Sequence, residues 1–295
     1  DKGETWQALH DVTGLEGIHL KSLIGFSDNE KLLFAANARQ LFKSTDGGFS
    51  WKPDDLVATY WHKGTVRVRA ANGKYVTKAQ NTEHKFRPYE INDLLTEGTG
   101  RTTYIFAATD RGLLRSKDSG IHWALVDTGS VSGVLNIYAS AKDDGRIVVE
   151  NGYRLFLTEN FGETWKPLSW PREGILLNDL AVPPVGSGSP FLAATSQGLY
   201  SSVDGGKDWA VVNNGLPYST VDSVIYSANQ GFTAYAVTFG QLYQSKDAGS
   251  SWTAVPSSYS SLRIRRLWQP ARLPDRLFAV TNDIGILFRN QAIIR

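Results

Sequence analysis

The sequence predicts an all-β chain, a seven-bladed β-propeller. Three observations carry that prediction: one octapeptide recurs at near-constant spacing, alternating strand-like segments precede each copy, and no stretch has sustained helical periodicity or a helix-capping signature. The octapeptide reads S-x-D-x-G-x-x-W. Its copies run from Ser44 to Trp51, Ser116 to Trp123, Thr158 to Trp165, Ser202 to Trp209 and Ser245 to Trp252, the third carrying Thr158 and Asn160. Asp1, Gly3 and Trp6 form a sixth, partial copy.

Each copy has a local logic. The short carboxylates of Asp1, Asp46, Asp118, Asp204 and Asp247, with the amide of Asn160, are expected to accept backbone N–H groups about two residues on. Glycine supplies the positive φ of a tight reversal, and Trp6, Trp51, Trp123, Trp165, Trp209 and Trp252 pack the returning strand. Upstream lie strand, turn and strand, as in Thr103 to Thr109, the Asp110-Arg111-Gly112 turn and Leu113 to Ser116. One more strand before these makes a four-stranded unit.

Tryptophans at 6, 51, 123, 165, 209 and 252 leave one long interval, of 72 residues. Within it, Val66 to Lys78 reads as a hairpin around Asn72-Gly73, and Gln80 to Phe86 aligns as a decayed octapeptide with Phe86 in place of Trp. The interval then divides into two blades, giving seven. The alternative is six blades with one long insertion. After Trp252 come three strands, Leu262 to Trp268, Leu277 to Thr281 and Ile286 to Arg289, and residues Glu4 to Leu9 are expected to add the fourth, closing the last blade from both termini. Residues 1–295 are accordingly expected to form one domain.

Composition narrows the function. With 41% hydrophobic and 12% aromatic residues the chain can bury a core, and a net charge of +2 supplies no global field for nucleic acid or an anionic bilayer. No apolar run is long enough for a membrane-spanning helix, so membrane insertion is not expected. The absence of cysteine removes disulfides and thiolate chemistry. His10, His19, His62, His84 and His122 stand singly, without metal-ligand spacing, and no phosphate-loop, serine-hydrolase or zincin motif is present, so neither metal nor cofactor is expected. The chain begins partway through a motif and without Met, and reads as a processed or trimmed form of a longer product.

On the octapeptides and their Leu-Tyr-x-Ser or Leu-Leu-Arg-Ser lead-ins, the chain resembles the Asp-box, or BNR-repeat, propellers. It looks most like the photosystem II stability/assembly factor group and its bacterial relatives, and more distantly like sialidases. The resemblance implies a peripheral, structural role for the box residues, a protein partner, and an extracytoplasmic (periplasmic or secreted) location. Sialidase likeness would imply an arginine triad and an F-R-I-P segment. The nearest text, Phe86-Arg87-Pro88, lacks the Ile, and Arg263, Arg265 and Arg266 are clustered on one segment.

A site, if present, is expected where the first strand of each blade lines a central channel. Aligning Leu20 to Leu23, Val57 to Tyr60, Ile91 to Leu94, Leu135 to Tyr138, Leu177 to Leu180, Val221 to Val224 and Ile264 to Leu267 puts Lys21, Ala58, Asn92, Asn136, Asn178, Asp222 and Arg265 in one column. Asp93, Asp179 and Arg266 fall in the next. These polar groups, with Trp61 as an aromatic at the channel mouth, form the candidate binding set. A hydrated, mutually paired channel lining is the competing reading. Asp93 and Asp179 are the carboxylates that glycoside hydrolysis would require. Trp61, Trp170 and Trp268 lie outside the octapeptides and suit a glycan or a protein hot spot. No catalytic residue is assigned. The favoured function is a non-enzymatic protein-binding or assembly scaffold; the alternative is a glycan-binding protein or glycoside hydrolase.

Overall fold

A computed structural model describes residues 13–15, 18–26, 29, 31–71, 74–88, 90–98, 103–129, 133–217, 219–228, 232–256, 264–269, 276–281 and 286–290. Among them there is no helix, and the strands form six sheets. The first contains β1 (Ser22–Gly25), β2 (Leu33–Ala36), β3 (Leu41–Ser44) and β4 (Lys52–Asp54), paired in that order. The second contains β5 (Ala58–Arg69), β6 (Tyr75–Phe86), β7 (Ile91–Glu97), β8 (Tyr104–Thr109), β9 (Gly112–Ser116) and β10 (Trp123–Leu125), in spatial order β6-β5-β10-β9-β8-β7.

Three four-stranded sheets follow, each paired in chain order. They are β11 (Asn136–Ala139) to β14 (Lys166–Leu168) through β12 (Ile147–Glu150) and β13 (Leu155–Thr158); β15 (Leu177–Ala181) to β18 (Ala210–Val211) through β16 (Phe191–Thr195) and β17 (Gly198–Ser202); and β19 (Ser223–Tyr226) to β22 (Thr253–Ala254) through β20 (Ala234–Thr238) and β21 (Gln241–Ser245). The last sheet has β23 (Ile264–Trp268), β24 (Arg276–Thr281) and β25 (Ile286–Asn290).

The octapeptides close the turn between the third and fourth strands of five sheets, with a different wiring from the one expected. Asp46 accepts not from the residue two on but from the Ser50 N–H four on, at 3.0 Å, while Ser44 Oγ donates to Asp46 and accepts from Gly48 N–H. Asp118, Asn160, Asp204 and Asp247 repeat the four-residue reach to His122, Thr164, Asp208 and Ser251. The indole N–H of Trp51, Trp123, Trp165 and Trp252 donates to the box glycine carbonyl; Trp209 instead donates to Ser169 O. Asp1 and Trp6 lie outside the described residues, as does the expected closing strand at Glu4 to Leu9.

The long interval does not fold as the two separate four-stranded units expected of it. Val57 to Tyr60 does not begin a separate sheet: Ala58 and Thr59 pair in parallel with Trp123 and Ala124 of β10. Gln80 to Phe86 is not a turn but part of β6, and β5 and β6 run antiparallel over twelve residue pairs from Ala58↔Phe86 to Arg69↔Tyr75. The physical reason is that the outer edge of β10 is available, so the inserted segment extends an existing sheet rather than nucleating its own core. Tyr60 stacks on His84, centroids 5.0 Å apart, and lies edge-on to Phe86.

The contacts fall into two compact units, one of residues 12–96 and 100–134, the other of residues 1–11, 97–99 and 135–295. Within the first, Phe34, Leu41, Ile105, Leu114 and Trp123 form a core shared by the first two sheets. Within the second, Val148, Leu155, Phe191 and Tyr200 join the third and fourth sheets. Leu192, Leu199, Val224 and Trp252 join the fourth and fifth, and Tyr235, Val237, Leu267 and Leu277 the fifth and sixth. Within each unit, neighbouring sheets thus pack face to face in chain order, each turning its alternate apolar side chains to the next.

Candidate functional site

Apart from Ala58, the expected polar columns fall on or just before the first strands β1, β7, β11, β15, β19 and β23, and their hydrogen bonds reveal what those residues do. In the first unit Asn92 Nδ2 donates to Val134 O at 2.8 Å; in the second, Asn178 Nδ2 donates to Val221 O at the same distance. These are one repeated tie from a first strand to the segment that leads into the next. Asn136 donates instead to Glu150 within its own sheet.

The next column forms a second tie. Ser22 Oγ accepts from Leu94 N–H at 3.2 Å and donates to Asp93 Oδ1 at 3.1 Å. Asp179 Oδ2 accepts from Ser223 Oγ at 2.6 Å and Val224 N–H at 3.1 Å, and Ser223 Oγ accepts from Leu267 N–H at 3.1 Å. A short polar side chain thus repeatedly accepts the N–H one residue further along the neighbouring first strand. Both carboxylates proposed for hydrolysis belong to this wiring. Asp179 is 6% exposed; burial raises its pKa, opposed by Arg266 and by the hydrogen bonds from Ser223, Val224 and Leu180. It has no solvent-facing position from which to protonate a sugar oxygen.

Ala58 leaves the column, because it sits on β5 at the outer side of its sheet. Trp61 is on β5 opposite Glu83, and its side chain lies outside the described residues. Lys21, Asn178, Arg265 and Arg266 are exposed. Asp222 is half-buried, its pKa raised by burial and opposed by Arg265. Trp170 packs into the core of the third and fourth sheets and donates to Ile175 O, whereas Trp268 is exposed, tilted over Phe278.

Sequence reasoning missed the exposed apolar residues at the same end of these sheets. Because β11 begins opposite the end of β12 (Asn136↔Glu150), Leu135 and the Tyr153 turn share one end of the third sheet. In the fifth sheet β19 begins opposite the end of β20 (Ser223↔Val237), which places the Phe239 turn beside Asp222. Gly240 O accepts from Ile264 N–H, so that turn also abuts Arg265. Leu176, just before β15, is 71% exposed, Phe239 76% and Tyr153 86%. Phe239 is held at a φ of 53°, a left-handed conformation uncommon for an aromatic residue. The only sequence signal was the position of these residues next to strand starts and turns.

No family model matches the chain. It is similar to a xyloglucanase from Hypocrea jecorina (strain QM6a), 20% identical over 261 residues, which are 86% of this chain and 27% of that protein. In structure it is similar to the GH74 xyloglucanase from Xanthomonas campestris, with a TM-score of 0.63 at 16% identity, covering 97% of this chain and 47% of that one. It is also similar to YCF48 bound to a D1 peptide, with a TM-score of 0.56 at 16% identity, covering 90% of this chain and 76% of that one. The chain thus spans about a quarter of the curated xyloglucanase and about half of the solved one. YCF48, a photosystem II assembly factor, and the xyloglucanases are propellers, and the likeness gives this chain the β-propeller fold.

Proposed function

We propose that the chain is a non-enzymatic binding scaffold that presents the leading end of its first strands to a protein partner. The observation that carries this reading is the set of exposed apolar side chains, Leu135, Tyr153, Leu176 and Phe239, beside Asn178, Asp222 and Arg265. Apolar groups clustered with a few charges are what a protein interface uses. The likeness to YCF48, whose solved complex holds a peptide, agrees with it. In this reading the six described sheets belong to one ring, with the β5–β6 hairpin as an insertion and residues 4–9 completing the last sheet, and the protein works outside the cytoplasm.

Capture from the native host with immobilised protein tests the reading. It predicts recovery of a defined protein partner, lost in Phe239→Asp and Leu176→Asp and weakened in Arg265→Ala. Unchanged capture by all three variants contradicts this choice of face. The xyloglucanase likeness supports a second reading, a glycan-active protein, and Trp268 is an exposed aromatic that would suit it. Release of oligosaccharides from xyloglucan or of sialic acid from sialosides, detected by mass spectrometry, would establish that reading. The scaffold reading expects neither.

A further inference from the structure

The β5–β6 hairpin concentrates charge that the whole-chain total hides. From Ala58 to Phe86 it carries Lys63, Arg67, Arg69, Lys74, Lys78 and Lys85 against Glu83 alone, a net of +5, whereas the full chain is +2, so all other residues together carry −3. Only Ala58 and Thr59 pair with β10, which leaves the rest of the hairpin as a two-stranded ribbon. Such ribbons are marginally stable in water and gain from a third strand.

The open side is β6, the outermost strand of its sheet, exposed from Tyr75 to Lys85. Its backbone directions follow from one bond: Ala70 N–H donates to Lys74 O at 2.8 Å, so that pair is hydrogen-bonded and the pairs alternate from there. Val76, Lys78, Gln80, Thr82 and His84 therefore turn their backbone groups toward β5. Tyr75, Thr77, Ala79, Asn81, Glu83 and Lys85 turn theirs outward, a row of donors and acceptors set to receive another strand. Side chains alternate along a strand, so Lys78 and Lys85 stand on opposite faces of β6 and flank an added strand on both sides.

Charge selects the occupant. Two copies of a +5 ribbon repel one another, and lysines on an edge strand deter self-pairing, whereas an acidic strand is attracted. We infer that β6 docks an extended, acidic segment of a partner protein as a third ribbon strand. The inference does not rest on the leading-end face.

The test uses a fluorescein-labelled twelve-residue peptide of alternating Thr and Glu, with fluorescence anisotropy at about 50 mM salt, where screening is weak. The alternating Thr and Lys peptide and a short DNA duplex serve as comparisons. The inference predicts that the acidic peptide binds at least about tenfold tighter than either comparison. Ala79→Pro removes one outward N–H without touching the β5 pairing, and should weaken binding about tenfold while Ala79→Ser does not. NMR-detected amide exchange on the unaltered chain should show new protection at Thr77, Ala79, Asn81 and Glu83 when the peptide is present. Equal binding by Ala79→Pro, equal binding of DNA, protection elsewhere, or no binding overturns it. So does protection of the same amides by self-association without peptide.

Discussion

Gly120, fifth residue of its octapeptide, has a φ of 83°, and a Cβ there would meet the Phe34 ring at 2.6 Å. Gly249 meets Leu192 in the same way, at 2.7 Å. At these two positions the box glycine serves two needs, the reversal itself and the close approach of one sheet's turn to the second strand of the sheet before it. Gly120→Ala is expected to lower stability by ~2–4 kcal/mol in a urea titration, combining backbone strain with overpacking. The cost should drop toward ~1 kcal/mol when Phe34→Leu makes room, because only the strain remains. The same repeat holds its carboxylates charged: hydrogen bonds from Ser50 and Ser44 bring the Asp46 pKa down to about 2. The glycine and the aromatic were readable from the repeat. The four-residue reach of the Asp was not, because several turns satisfy the same residue preferences and only the full wiring with Ser44 distinguishes them.

At the scale of the strand, the ties between first strands hold neighbouring sheets in register. Asp179→Ala leaves the Ser223 hydroxyl and Val224 N–H without their buried acceptor, and should cost ~2–4 kcal/mol in thermal or urea unfolding. Asp179→Asn keeps an acceptor and should cost less than half as much; equal losses in the two variants would show that the charge, not the bonding, matters. Aligning the first strands by sequence found the column that contains Asp93 and Asp179, since apolar flanks recur around them. It did not reveal that Ser22 and Ser223 already occupy those carboxylates, which depends on the neighbouring strand's offset. The division of the long interval failed for a related reason. An Asn-Gly turn between alternating segments suits a blade hairpin and a long ribbon equally, and the choice was made by the free edge of β10, far away in sequence.

For the molecule as a whole, stability should depend on pH through one buried carboxyl. Glu97, 1% exposed, accepts from Gly145 N–H with Oε1, while Oε2 has no hydrogen-bond partner among the described residues. Burial first, then the nearby Asp143 and Asp144, raise its pKa from 4.5 to about 8 against the Gly145 bond. The folded chain therefore keeps a proton that the unfolded chain releases above about pH 4.5, so this group favours folding most below that pH. Its contribution falls as pH rises toward 8 and is level beyond. Glu97→Gln should flatten that slope, removing a fall in stability of ~5 kcal/mol between pH 4 and pH 9. An unchanged slope would place the proton elsewhere. The proposed scaffold requires one ring of sheets, with residues 4–9 added beside β25. Amide hydrogen exchange of the segment Glu4 to Leu9 tests it most directly: protection comparable to that of β24 is predicted, and exchange at the rate of a free peptide would contradict it.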